Sequence, residues 1–148
     1  MHPLATAGLG FLLSVLWFDL MFDVQLYRDR HEADVATSVI ESISTYYRRV
    51  TTDASPMSRL VMVAMLAALV GLVGQLIDRG GRWFLVAALP AALIPMAIAA
   101  VRTVPNAVRL GSRNDSLPIQ AELARIIFRD HLVCISMIAV ALGLQLYA

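Results

Sequence analysis

The sequence has no lysine, only one cysteine and few charges of either sign, and each scarcity closes off a class of function. Cys134 stands alone inside an apolar run, so the chain cannot form an internal disulfide and holds no Cys-x-x-Cys redox pair. Its thiol reads as a small core side chain. Phosphate-binding glycine loops, serine or cysteine nucleophile signatures, the Glu-x-x-His of di-iron bundles and His-Glu-x-x-His are all missing. No apolar stretch carries a histidine at its middle, which argues against transmembrane bis-histidine haem. Charged residues make up 16% of the 148, where a soluble domain has about a quarter.

What fills the space is apolar. Hydrophobic residues account for 59% of the chain and the mean hydropathy is +0.71, so lipid must be part of its solvent. Four stretches approach the length needed to cross about 30 Å of hydrocarbon at roughly 1.5 Å per residue. They run over Leu4–Phe22, Met57–Ile77, Trp83–Val101 and Leu132–Tyr147. The first has no basic residue ahead of it and no small-x-small site after it, so it reads as a retained span. The fold class expected is all-α: a single domain over 1–148, a bundle of four transmembrane helices.

The second span carries Ala64, Ala67, Ala68, Gly71 and Gly74, a small-residue spacing that lets a neighbouring backbone come close, chiefly within the monomer. Pro90 and Pro95 in the third should leave it helical but kinked. Asp78–Arg82 makes a tight hairpin between the second and third spans, which are therefore antiparallel.

All twelve basic residues are arginine, and ten lie in two polar segments: Arg28, Arg30, Arg48, Arg49 and Arg59, then Arg102, Arg109, Arg113, Arg125 and Arg129. Only Arg79 and Arg82 lie on the other side. Such clustering is a topology signal rather than a nucleic-acid footprint. It places both long loops in the cytoplasm and both termini in the periplasm of a bacterial inner membrane.

From Asp34 to Val50, apolar residues recur at intervals of three and four through Val35, Val39, Ile43, Tyr46, Tyr47 and Val50. The expectation is an interfacial amphipathic helix with its tyrosines at headgroup depth. Asn114, Asp115 and Ser116 offer caps ahead of Pro118, and apolar periodicity then runs unbroken to Tyr147. That final helix, about 45 Å long, should project past the membrane.

The residues that most need explaining are Asp19 and Asp23 in WFDLMFDVQ, four apart on one helix face near lipid. Arg102, Arg129, Asp130 and His131 fall at the same expected depth, so the six should form one polar cluster at the cytoplasmic mouth. Such a cluster is either an ion-pair network that fixes helix register or a site for a ligand, proton or metal. In the second case His131, Asp19 and Asp23 are the catalytic candidates, with His131 as proton acceptor, and Asn106, Arg102, Arg129 and Asp130 bind ligand. His31, Glu32 and Asp34 in RDRHEAD could join Glu122 and His131 around a metal, but a solvated charge run explains them more simply. No metal ligand is therefore assigned, and the cofactor stays open.

Pro105, Asn106 and Leu110 in TVPNAVRLG, followed by Arg129 and His131, give most of the chain a plan that resembles the anthrone oxygenase-like family of small four-helix membrane proteins. That family tends to have consecutive asparagines where Asn106 stands alone, and a histidine before the arginine. The resemblance implies oxidation of an aromatic polyketide-like substrate or a related small-molecule redox step.

Two functions therefore stand side by side. One is an accessory or structural subunit that docks on other membrane-protein subunits or on itself. The other is a membrane-embedded oxidoreductase or binder of a small hydrophobic ligand. A transporter fits less well, because no span bears a polar stripe across the membrane.

Overall fold

The computed structural model describes residues 2–28 and 37–147, and the regular structure there is entirely helical. The helices are α1 (His2–Asp23), α2 (Gln25–Arg28), α3 (Thr37–Arg48), α4 (Ser55–Asp78), α5 (Trp83–Ile98), α6 (Val104–Ser112) and α7 (Leu117–Tyr147). Two five-residue π-helical turns, Arg49–Asp53 and Ala99–Thr103, extend α3 and join α5 to α6. His31, Glu32, Asp34 and the start of the amphipathic stretch lie outside the described residues.

Four helices are long and apolar enough to span a membrane: Pro3–Asp23, Pro56–Asp78, Trp83–Ser112 and Leu117–Tyr147. The protein is an integral membrane helical bundle. Helix α4 packs on α1 and α5, and α7 packs on the same two, which closes a ring of four. Its core is built of small and aliphatic side chains, among them Leu9, Ala68, Leu72, Ala88, Ala92 and Ile138. Outward-facing Val63, Leu66, Val86 and Val140 are exposed, as lipid-facing residues should be.

Of the five small residues singled out in α4, Ala64, Ala68 and Gly71 are buried in the interior, while Ala67 and Gly74 are half-buried. A Cβ on Gly71 would lie 2.5 Å from the Ala5 nitrogen, and one on Gly8 would lie 2.7 Å from the Ala64 oxygen and the Ala68 nitrogen. Helices α1 and α4 are thus in backbone contact, which only glycine permits. At the far end, Gly80 and Gly81 have φ of +67° and +71°, a turn favouring glycine.

Span three differs from expectation at its end. It does not stop at Val101; after the turn at Ala99–Thr103 the helix resumes and runs to Ser112, so TVPNAVRLG is helical and the connection to α7 shrinks to Arg113–Ser116. Pro105 causes no break because it falls in the first turn of α6, where a missing N–H costs nothing. Pro90 and Pro95 are likewise accommodated inside α5. The Pro95 carbonyl accepts the Cys134 thiol at 3.6 Å, so this buried cysteine does pack in the core.

Beyond the ring sits a cap with a second core of Leu26, Ile40, Ile43, Tyr47, Leu110 and Ile127 with their neighbours. Helix α3 is amphipathic as expected, yet its apolar face is buried on α6 and α7 rather than laid against lipid. Gly111 allows the crossing, since a Cβ there would stand 2.8 Å from the Arg48 nitrogen. Arg113, in the left-handed region at φ 57°, reaches across to donate to the Ser44 hydroxyl at 2.7 Å and the Glu41 carbonyl at 2.6 Å. Asp115 spends its carboxylate on Arg109, at 2.8 and 2.9 Å, rather than on capping α7.

Packing two backbones this closely leaves no room for a side chain. Gly71→Val should lower unfolding stability in detergent by about 1–3 kcal/mol through overpacking. Gly10→Ala, where nothing lies within 4 Å of the added carbon, should change it by no more than about 0.5 kcal/mol. Equal losses from both variants would mean that α1 and α4 are not in contact.

Candidate functional site

Between the two apolar cores lies one polar layer. Helix α1 brings Asp19 and Asp23, α3 brings Tyr46 and Tyr47, the second π turn brings Arg102 and Thr103, and α7 brings Asp130 and His131. Both π turns border it, because Tyr47 comes two residues before one and Thr103 closes the other. Such turns rotate the downstream part of a helix, and here the rotation points Thr103 inward, with a relative exposure of 4%.

The layer has two parts. In the first, the His131 Nδ1 lies 2.7 Å from Asp23 Oδ2, and the Tyr47 hydroxyl donates to Asp23 Oδ1 at 2.6 Å. The other face of the imidazole looks at the second acid, with Nε2 3.8 Å from Asp19 Oδ2. Tyr46 donates to Asp19 Oδ1 at 2.7 Å while its ring stacks on Phe22 at 3.9 Å. One imidazole is thus flanked by two carboxylates, each capped by a phenol.

In the second part, Arg102 pairs with Asp130 through both of its nearer nitrogens, the Nε at 2.8 Å, and the Thr103 hydroxyl donates to the same carboxylate at 3.2 Å. Asp130 is therefore fully engaged although almost completely buried.

Burying a charge is expensive unless it is paired and hydrogen-bonded, and every carboxylate of the layer meets that condition. Asp23 and Asp130 have no appreciable exposure, and both accept at least two hydrogen bonds. Burial, followed by the two neighbouring carboxylates, pushes the Tyr46 and Tyr47 phenols well above their ordinary range. They remain protonated donors at any physiological pH.

Of the six residues expected to cluster, the structure brings Asp19, Asp23 and His131 together and sets Arg102 and Asp130 beside them. Arg129 does not join: one position from Asp130, it is turned about 100° around α7 and is exposed. Asn106 is half-buried on α6 and takes part in none of these hydrogen bonds. Glu122 is exposed on α7. Among the described residues, no three metal-binding side chains are arranged to hold a metal ion.

Tyr46, Tyr47 and Thr103 are the members that sequence reading missed as site residues. The tyrosines gave a signal, since a phenol on a buried helix face needs an acceptor and the Asp19 and Asp23 pair needed donors. Thr103 gave none. Comparison with protein-family models, with curated proteins and with solved structures yields no match to this chain.

Removing one donor from a buried carboxylate exposes its desolvation cost. Tyr47→Phe should destabilise the protein by about 1–3 kcal/mol, and Tyr46→Phe by less because Asp19 lies nearer to water. Arg129→Gln should stay within about 0.5 kcal/mol. Thermal unfolding of the three variants in one detergent checks the order, and a harmless Tyr47→Phe would mean that Asp23 is hydrated.

Proposed function

We propose that this integral membrane protein is an accessory or structural subunit, which docks through its helical cap on a larger membrane complex or on a second copy of itself. The observation that carries this reading is apolar surface in the wrong place for lipid. Phe84 and Tyr147 pack edge to face, with ring centroids 5.6 Å apart, and mark one end of the bundle. Counting from them at about 1.5 Å per residue, Val104 lies roughly 30 Å away, Val108 about 36 Å, Ile119 about 42 Å and Leu117 about 45 Å. Hydrocarbon is about 30 Å thick, so most of these exposed side chains stand beyond it. A protein partner gives them an apolar neighbour that water does not.

The arginine count supports the rest of the assignment. Ten of the twelve fall in the two polar segments of the sequence, while Arg79 and Arg82 stand at the hairpin on the opposite end of the bundle. By the positive-inside rule the cap faces the cytoplasm and both termini the periplasm of a bacterial inner membrane.

A second reading rests on a different feature. A groove of about 400 Å³, lined by Phe22, Ser38, Glu41, Thr45, Tyr46 and Arg49, runs up to the phenol that holds Asp19. A small aromatic molecule stacked there would reach the acid and imidazole layer, and the resemblance to the anthrone oxygenase-like family favours that chemistry.

Purification from native membranes in a mild detergent, followed by native mass measurement, decides between them. The docking reading expects an assembly of fixed stoichiometry that Val108→Glu together with Ile119→Glu disperses, with helicity unchanged. A wild-type monomer carrying a stoichiometric aromatic ligand would replace it by the second reading.

A further inference from the structure

Among the described residues, the polar layer holds more negative than positive groups. Asp130 is balanced by Arg102. What remains is Asp19, Asp23 and the single imidazole of His131, set between two apolar cores. With the imidazole neutral and both acids ionised, the trio carries two negative charges. With imidazolium it still carries one. Neutrality requires one further proton, held on a carboxyl group, and a low-dielectric setting strongly favours the neutral count.

Geometry says where that proton goes. Asp23 uses both oxygens as close acceptors, from Tyr47 at 2.6 Å and from His131 at 2.7 Å, so a proton there would have to displace a donor. Asp19 accepts from Tyr46 on Oδ1, while its Oδ2 stands 3.8 Å from the nearer imidazole nitrogen and has room. Asp19 is also the way in. Its side chain is 14% exposed against 7% for His131 and 0% for Asp23, and Tyr46, which holds it, lines the open groove.

Beyond the layer the way is shut. The buried polar side chains described on the far side are Gln75 and Gln145 at the opposite end of the bundle, and the aliphatic core of Leu9, Leu12, Ala92 and Ile138 separates them from the layer.

We infer that Asp19, His131 and Asp23 form a proton-binding site that takes up one exchangeable proton at Asp19 from the cap side, and that this proton controls the docking of α3 on the bundle. The link to α3 is direct, because Tyr46 and Tyr47 are the hydroxyls that cap the two acids. When the proton leaves, the layer gains a buried negative charge. Water is drawn to Asp19, and the Tyr46 bond is the one it replaces. The site senses protons and does not conduct them, since it ends against the apolar core. The groups facing Asp19 are His131 from α7, Tyr46 from α3 and Asp23 from its own helix; the imidazole in turn meets Asp23, Tyr47 from α3 and Asp130 from α7, the last neutralised by Arg102 of the neighbouring π turn. This inference is independent of the docking reading, for it concerns how the cap is held and not what it touches.

The test uses the full chain in phosphatidylcholine nanodiscs. Hydrogen exchange of the Thr37–Arg48 amides, corrected for intrinsic base catalysis, is followed across pH 5 to 9. Wild type should show a step of about tenfold faster exchange as pH rises, equivalent to one pKa unit of coupling. Asp19→Asn, which keeps the acceptor for Tyr46 and cannot ionise, should hold α3 protected throughout and abolish the step. A wild-type profile without a step, or an unchanged step in Asp19→Asn, overturns the inference. Should the variant fail to fold, the carboxyl carbon-13 shift of Asp19 in wild type decides: titration together with α3 release supports the site, and no change in protonation across that range refutes it.

Discussion

A buried carboxylate has to be neutralised or hydrogen-bonded, and in this protein that requirement shapes the junction between two apolar cores. The ring of four spans coheres through small residues and aliphatic packing, and the cap through its own core of Ile40, Ile43, Leu110 and Ile127. Helix α7 runs through both, giving Ala124 and Ile127 to the cap and Ile138 and Ala141 to the ring. Between them lies the layer in which Asp23 takes a hydroxyl from the cap and an imidazole from the bundle. A polar joint of this kind is directional, because a hydroxyl and a carboxylate must meet at one distance and angle, whereas an apolar joint could slide.

The same joint explains the placement of the irregular backbone. Each π-helical turn inserts one residue and so rotates the downstream helix by about 100°. At Ala99–Thr103 the rotation turns Thr103 toward Asp130. At Arg49–Asp53 it takes the chain from the cap into α4 directly after Tyr47 has reached its acid. Gly111 and Arg113 complete the arrangement from the other side, the one by permitting contact with the Arg48 backbone and the other by gripping Glu41 and Ser44. Helix α3 is therefore a docked lid on the bundle, and its apolar stripe satisfied protein and not lipid.

Amphipathic periodicity in Val39 to Val50 could not distinguish those two partners. A stripe of apolar residues records that something apolar covers it, and both a bilayer and α6 with α7 answer that description. The same ambiguity hid the tyrosines, since phenols suit the headgroup region as readily as they suit a buried acid. Arg129 misled for a different reason. Depth along a helix can be counted from sequence, but direction around it depends on which neighbours the helix meets, so adjacent residues at one depth ended on different faces, Asp130 inward and Arg129 outward.

Composition and run length alone determined that this chain lives in a membrane, how many helices are long and apolar enough to cross it, and that small residues of the second span would let a neighbouring helix come close. These properties arise from hydropathy and side-chain size, which are additive along the chain. The pairing of Asp19 and Asp23 with His131 was legible as a need for partners. Only the tertiary structure decided that tyrosines from a distant segment would meet it, that α5 would continue past its turn into α6, and that Asn106 would stay apart. Those outcomes depend on where helices cross, and crossing is set by contacts between segments far apart in sequence, which no local pattern encodes.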